Sequence, residues 1–129
     1  AIESLNKNCF VKVLCEKNKK KISYLKKKYP NKIITSNEDL IFEDKEINLV
    51  SICSYDNYHY SQILKSIKNN KHFIIEKPFC LDEKELKHLH LLLKKNKQIK
   101  FKVWFIFVST YQKDIIFNLF IGRKNTNKQ

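Results

Sequence analysis

Residues 47–78 read "INLVSICSYDNYHYSQILKSIKNNKHFIIEKP". "INLVSICS" (47–54) is a nearly continuous apolar run, of the kind buried on both faces of a parallel sheet. Tyr60, Ile63, Leu64 and Ile67 then recur at helical spacing, and Asn69 and Asn70 end that helix. "HFIIE" (72–76) is a second strand. Pro78 cannot donate to a ladder, so pairing stops there. Asp82 is a good N-cap for a helix over about 82–96, with Leu86, Leu89 and Leu93 on its buried face. The charged pair Glu76 and Lys77 is therefore placed at a strand's carboxyl end.

Working outward, the same alternation continues on both sides. "CFVKVLCE" (9–16) is a strand rich in β-branched and aromatic positions. "NKKKISYLKKKYP" comes next, with Ile22, Leu25 and Tyr29 on one helical face, stopped by Pro30. "KIIT" is a short strand, and "SNEDLIF" opens a brief helix with a capping signature in Ser36 and Asp39. "IKFKVWFIFV" is a last strand, and Tyr111, Ile115 and Leu119 mark a final helix. Strands alternating with helices imply right-handed crossovers and an α/β, doubly wound parallel sheet. Ligands of such sheets sit beyond the carboxyl ends of the strands. Three of those ends are chemically unusual here: Glu16, the run from Ser54 to His59, and the run from Glu76 to Pro78.

Composition narrows the classes. The chain has 129 residues, enough for one modest core, with 43% apolar content. No apolar run reaches the roughly 20 residues of a membrane helix, and the N-terminal stretch lacks a signal peptide's apolar centre. The expected location is cytoplasmic. Cys9, Cys15, Cys53 and Cys80 form no CxxC pair and fall in or beside apolar segments, which suits reduced structural thiols. The net charge of +13 raises nucleic acid as a partner. Of 26 basic residues, however, only Arg123 is arginine, the residue suited to bidentate phosphate and guanine contacts. The lysines read as solvated faces, with no nucleic-acid or membrane partner expected.

The three strand-end motifs together resemble the N-terminal dinucleotide domain of the Gfo/Idh/MocA oxidoreductases, relatives of glucose-fructose oxidoreductase and inositol dehydrogenase. In that family a strand ends in Thr-Pro-Asn-x-x-His, a helix comes next, and Gly-Lys-His opens a strand leading into Glu-Lys-Pro. Residues 54–59 (Ser-Tyr-Asp-Asn-Tyr-His), 70–72 (Asn-Lys-His) and 76–78 (Glu-Lys-Pro) occupy these motifs in register.

The resemblance implies hydride transfer between a nicotinamide and a secondary hydroxyl or carbonyl of a sugar, inositol or related polyol. Glu16 matches the family's acidic residue on the adenosine ribose, which favours NAD over NADP, while Lys17 and Lys19 weaken that preference and keep NADP open. Ser54, Asp56 and His59 match the loop under the ribose and pyrophosphate. Glu76 matches a position near the nicotinamide. Lys77 matches the family lysine beside nicotinamide and substrate, where an ammonium can orient a hydroxyl and stabilise a developing oxyanion. Pro78 matches a family proline that can be cis, turning the backbone and aiming Lys77 into the cleft. No metal is implied, and a homo-oligomer is compatible with the family.

The departures shape the rest of the expectation. Gly122 is the chain's one glycine, so it holds no GxGxxG. The family's first strand and glycine loop are expected ahead of Ala1, and a C-terminal substrate domain after the chain. The domain reading is a partial dinucleotide-binding domain over residues 1–120, with 121–129 starting a missing substrate domain or forming a tail. In the strand order 3-2-1-4-5-6 the missing strand is central, so strands 9–16 and 47–54 either pair directly or leave a gap. This chain alone is expected to be an inactive fragment. The competing readings are a noncatalytic remnant and, further off, a basic nucleic-acid-binding module. His72 and Trp104 read as packing residues. His88 and His90 lie two apart on a helix and make a poor metal pair.

Overall fold

The computed structural model describes residues 9–104 and 118–123. Side chains are described through Lys102, and the later residues by their backbone alone. The chain runs β1 (Cys9–Cys15), α1 (Lys19–Lys28), β2 (Ile33–Thr35), α2 (Asp39–Phe42), β3 (Ile47–Ile52), α3 (Asp56–Lys68), β4 (His72–Glu76), α4 (Glu83–Lys95), β5 (Phe101–Trp104) and β6 (Asn118–Arg123). The expected α/β alternation is present. Asn18 caps α1 by accepting from the Lys20 and Lys21 amides, and Asp82 caps α4 by accepting from the Glu85 amide at 2.8 Å.

One sheet carries all six strands in the order β2-β1-β6-β3-β4-β5. The pairs β1–β2, β3–β4 and β4–β5 are parallel. β6 is antiparallel to both of its neighbours, β1 and β3. The central position is thus neither closed by direct pairing nor left open, because residues 118–123 fill it. It also changes the reading of the final helix. Leu119 lies in a strand where helical periodicity placed it in a helix; Tyr111 and Ile115 lie outside the described residues.

The side chains divide between the two faces of the sheet. Val11 and Leu14 pack with Leu25 of α1 on one face. Val13 and Cys15 join the larger core on the other, with Phe73 and Ile75 of β4, Ile63 of α3 and Leu89 of α4. Val11 and Leu14 share a face despite their odd spacing because the ladder slips between Val11 and Val13. Two local readings also change. Leu86 is 49% exposed, and Leu92 packs on the core beside Leu93. Ser36 does not cap α2. Asn37 instead folds the entry, its amide donating to Thr35 Oγ1 and its Oδ1 accepting from the Asp39 amide, each at 3.0 Å.

The link from α3 to β4 explains residues 70–72. Asn70 takes the left-handed conformation with φ 54°, which asparagine tolerates better than most non-glycine residues. Its amide donates to Ile67 O at 3.1 Å and the Lys71 amide to Ser66 O at 2.8 Å, a Schellman closure. Lys71 is thereby turned inward to 4% exposure, and Nζ donates to the carbonyls of Asp44 and Ile47, the latter at 2.7 Å. Burial pushes its ammonium below the ordinary lysine value of 10.5. Replacing Lys71→Met would keep the stem but strand both carbonyls. It should cost about 2–3 kcal/mol in urea unfolding.

Candidate cofactor site

The carboxyl ends of β1 and β3 flank the central position, and a cavity of about 330 Å³ opens there. Its lining includes Cys15, Glu16 and Lys17 from the β1 side, and Cys53, Ser54 and Tyr58 from the β3 side. Glu16 Oε1 accepts from the Asn18 amide at 2.9 Å, which fixes the carboxylate at the strand's end. Lys17 Nζ lies 5.8 Å from the centre of the Tyr58 ring, a cation–π contact joining the two walls. Both thiols are held neutral: burial pushes Cys15 up to about 11 and raises Cys53 as well.

Behind the lining runs a polar chain that no sequence motif announced. Ser54 Oγ donates to Gln62 Oε1 at 2.7 Å, Gln62 Nε2 to Glu38 Oε2 at 2.9 Å, and Lys65 Nζ to Glu38 Oε1 at 2.8 Å. Glu38 and Gln62 both reach the cavity. A sequence signal existed for Gln62, which sits with Ile63 between His59 and Ser66 on the buried stripe of α3, where a polar residue needs a partner. Glu38 had no such signal, because its partners Gln62 and Lys65 lie on α3, far along the chain.

The predicted site residues fall into two groups. Glu16 and Ser54 share the cavity. Glu76, Lys77 and Pro78 lie one strand over, at the carboxyl end of β4, outside the cavity lining, and the Lys77–Pro78 bond is cis. Lys77 is exposed. Asp56 is also exposed and begins α3, where its charge suits the helix N-terminus. His59 joins the groups from behind. Fully buried, it sets Nδ1 2.6 Å from Pro78 O and Nε2 3.1 Å from Ser54 O. Both partners are backbone carbonyls, so the ring lies between the β3 exit and the β4 exit and ties them together.

The other histidines take structural partners. His72 Nδ1 accepts from the Lys100 amide at 3.2 Å, and His88 Nδ1 meets Tyr60 Oη at 2.6 Å. Among the described residues no group of three or more His, Cys, Asp or Glu could hold a metal, none of the four cysteines is in a disulfide, and no helix is long and apolar enough to cross a membrane.

A sheet in the order β2-β1-x-β3-β4-β5, with a polar cavity at the carboxyl ends beside the central position, defines a dinucleotide-binding domain of the Rossmann type. A family profile described as "Oxidoreductase family, NAD-binding Rossmann fold" matches residues 2–104, and the chain belongs to that Gfo/Idh/MocA family. An uncharacterized oxidoreductase of Schizosaccharomyces pombe is 34% identical over 64 residues, which are 50% of this chain and 17% of that protein. Scyllo-inositol dehydrogenase of Lactobacillus casei superposes with TM-score 0.66 at 22% identity, over 72% of this chain and 28% of that one. It has also been solved with NAD(H) and scyllo-inositol bound. Myo-inositol 2-dehydrogenase of Lactobacillus plantarum gives TM-score 0.66 at 15% identity, over 72% and 27% of the two chains. The chain thus spans under a third of the length of these relatives.

Two measurements probe the supports of the site. His59→Leu strands the carbonyls of Ser54 and Pro78. It should cost about 2 kcal/mol or more in urea unfolding and raise amide exchange at Lys77 and Phe79 ahead of β3. For Glu38, burial pushes the carboxyl up, but hydrogen bonds from Lys65 and Gln62 outweigh it and hold the group below its ordinary 4.5. A carboxyl lowered on folding stabilises above the unfolded value and loses that contribution as pH falls through the folded value. The stability gap between wild type and Glu38→Gln should therefore be full at pH 7 and shrink once pH drops below 4.5.

Proposed function

We propose that this chain is the cofactor half of an enzyme moving hydride between NAD and a secondary hydroxyl or carbonyl of a sugar, inositol or related polyol. The observation carrying this reading is that Glu16 and Ser54, from strands on opposite sides of the central position, line one cavity. The donor set there fits an adenosine ribose. Glu16 Oε1 is held by the Asn18 amide, and a carboxylate's remaining acceptor positions can take a vicinal diol while repelling a 2′-phosphate. NAD is favoured on that ground, with Lys17 and Lys21 close by as cations able to soften the choice. The pyrophosphate end fits less well, because the described residues contain no glycine-rich turn and β6 stands where one would emerge.

When bound, the nicotinamide supplies the hydride acceptor. The chain's part is positional and electrostatic. Lys77, at the β4 end, orients the substrate hydroxyl and stabilises the oxyanion that develops on it. Glu76 and Pro78 shape the turn that presents it, with Asp56 near the cofactor loop, and His59 fixes that turn to the strand end bearing Ser54. A cytoplasmic location and a small-molecule substrate belong to the same reading.

The chain by itself should bind NADH more weakly than about 1 μM in a fluorescence titration, and Glu16→Ala should weaken it further. In a whole-length protein carrying this segment, Lys77→Ala should lower kcat by about 100-fold or more and leave cofactor affinity within a few-fold. Unchanged turnover in that variant would remove Lys77 from the chemistry.

A further inference from the structure

The polar chain behind the cavity has a direction, and Glu38 sets it. Burial pushes the Glu38 carboxyl up, the bonds from Lys65 and Gln62 hold it down more strongly, and the group is ionised at neutral pH. An ionised carboxylate only accepts. Gln62 therefore turns Nε2 toward Glu38 Oε2, 2.9 Å away, because the opposite orientation would set an amide oxygen against a carboxylate. Gln62 is nearly buried, and Lys65 Nζ holds the other Glu38 oxygen at 2.8 Å, so the pair is fixed in place. That leaves Gln62 Oε1 facing Ser54 as an acceptor at 2.7 Å.

Ser54 has a single hydroxyl hydrogen. Both of its partners, Gln62 Oε1 and the Tyr55 carbonyl at 3.4 Å, are acceptors, so that hydrogen is spent inside the protein. Only lone pairs are left for the cavity that Ser54 lines. Donation to Gln62 also polarises the hydroxyl and strengthens it as an acceptor. The acceptor character of Glu38 is thereby passed through Gln62 to the β3 wall. On the facing wall Glu16 is a second acceptor, and the ammonium groups of Lys17 and Lys21 stand on that side as donors.

We propose that Ser54 is a specificity residue that accepts a hydrogen bond from a ligand hydroxyl or amine, with Glu38 and Gln62 as the positioning residues that prevent it from donating. The oxygens of a pyrophosphate diester carry no hydrogen and find no partner at Ser54. The group it reads is then a ribose hydroxyl or the amine of a base. The polarity rests on the hydrogen-bond geometry alone; that the ligand is a nucleotide rests on the reading above.

Two measurements on the full 129-residue chain separate these claims. The first uses no ligand and follows hydrogen exchange of the Gln62 side-chain amide by NMR. Glu38→Ala removes its acceptor and should speed exchange by about tenfold or more, whereas Ser54→Ala should leave it within about twofold. Where Glu38→Ala does not fold, Ser54→Ala decides alone. Tenfold faster exchange in Ser54→Ala means that Gln62 donates to Ser54, and overturns the proposal.

The second measures affinity for AMP, 2′-deoxy-AMP, 3′-deoxy-AMP, inosine monophosphate and inorganic pyrophosphate by NMR titration up to about 10 mM. Ser54→Ala should weaken AMP about fivefold and leave pyrophosphate within about twofold. The analogue lacking the group read by Ser54 should bind wild type about fivefold more weakly and lose nothing further in Ser54→Ala. A deoxy analogue in that role identifies a hydroxyl, and inosine monophosphate identifies the amine. Glu38→Gln lets the Gln62 amide face either way and frees Ser54 to donate, so pyrophosphate should bind that variant about threefold or more tightly, a gain that added Ser54→Ala abolishes. No such gain, or one that survives the second change, removes Glu38 from the positioning role. Unchanged AMP affinity in Ser54→Ala, or a fall in pyrophosphate affinity, overturns the proposal. No binding of AMP, with the exchange pattern as expected, upholds the polarity of Ser54 and counts against the nucleotide reading.

Discussion

β1 and β3 both lie inside the sheet, and neither can leave a row of backbone donors and acceptors unpaired. Two strands sharing one central partner sit about 10 Å apart, twice the normal strand spacing, so they cannot satisfy each other without the sheet closing up. The molecule meets this constraint with β6, drawn in against the sense of every other strand. The remaining geometry depends on it. With the position filled, β1 and β3 stay separated, their carboxyl ends stay on either side of an opening, and Glu16 faces the same cavity as Ser54.

Around that opening the residues are held by buried and part-buried polar bonds that span the elements. His59 bridges two strand exits through its two ring nitrogens, Lys71 closes the carbonyls of Asp44 and Ile47, and Glu38 collects Gln62 and Lys65. Each exploits the same imbalance: a buried bond adds little net stability when made, and leaving one of its partners unpaired costs much more. Among the described residues no buried side-chain polar atom is left without a partner. The result is a rigid frame under exposed chemistry, with Lys77 outside and its supporting histidine inside.

Local rules were enough for most of the elements. The spacing of Ile22, Leu25 and Tyr29, the cap at Asp82 and the stop at Pro30 are decided within a turn or two of chain, and the structure obeys them. Leu86 shows the limit: it continues a helical stripe, but no element covers that part of α4 and it stays exposed. The capping pattern at Ser36 fails for a similar reason. Thr35 and Asn37 offer a tighter turn, so the helix begins later.

The sequence by itself determined the alternation of strands and helices, the family motifs in register and the strand ends at which unusual residues stand. These depend on neighbours within a few positions, where periodicity and capping act directly. Tertiary structure decided three other things: that residues 118–123 enter the sheet antiparallel, that His59 and Lys71 turn inward, and that Glu38 joins Ser54 through Gln62. Each is a matter of which unpaired group meets which across the fold. Leu119 was read as helical because its own stretch allows that period; pairing with both β1 and β3 outweighed it, since an unpaired interior edge costs more than a local preference can return.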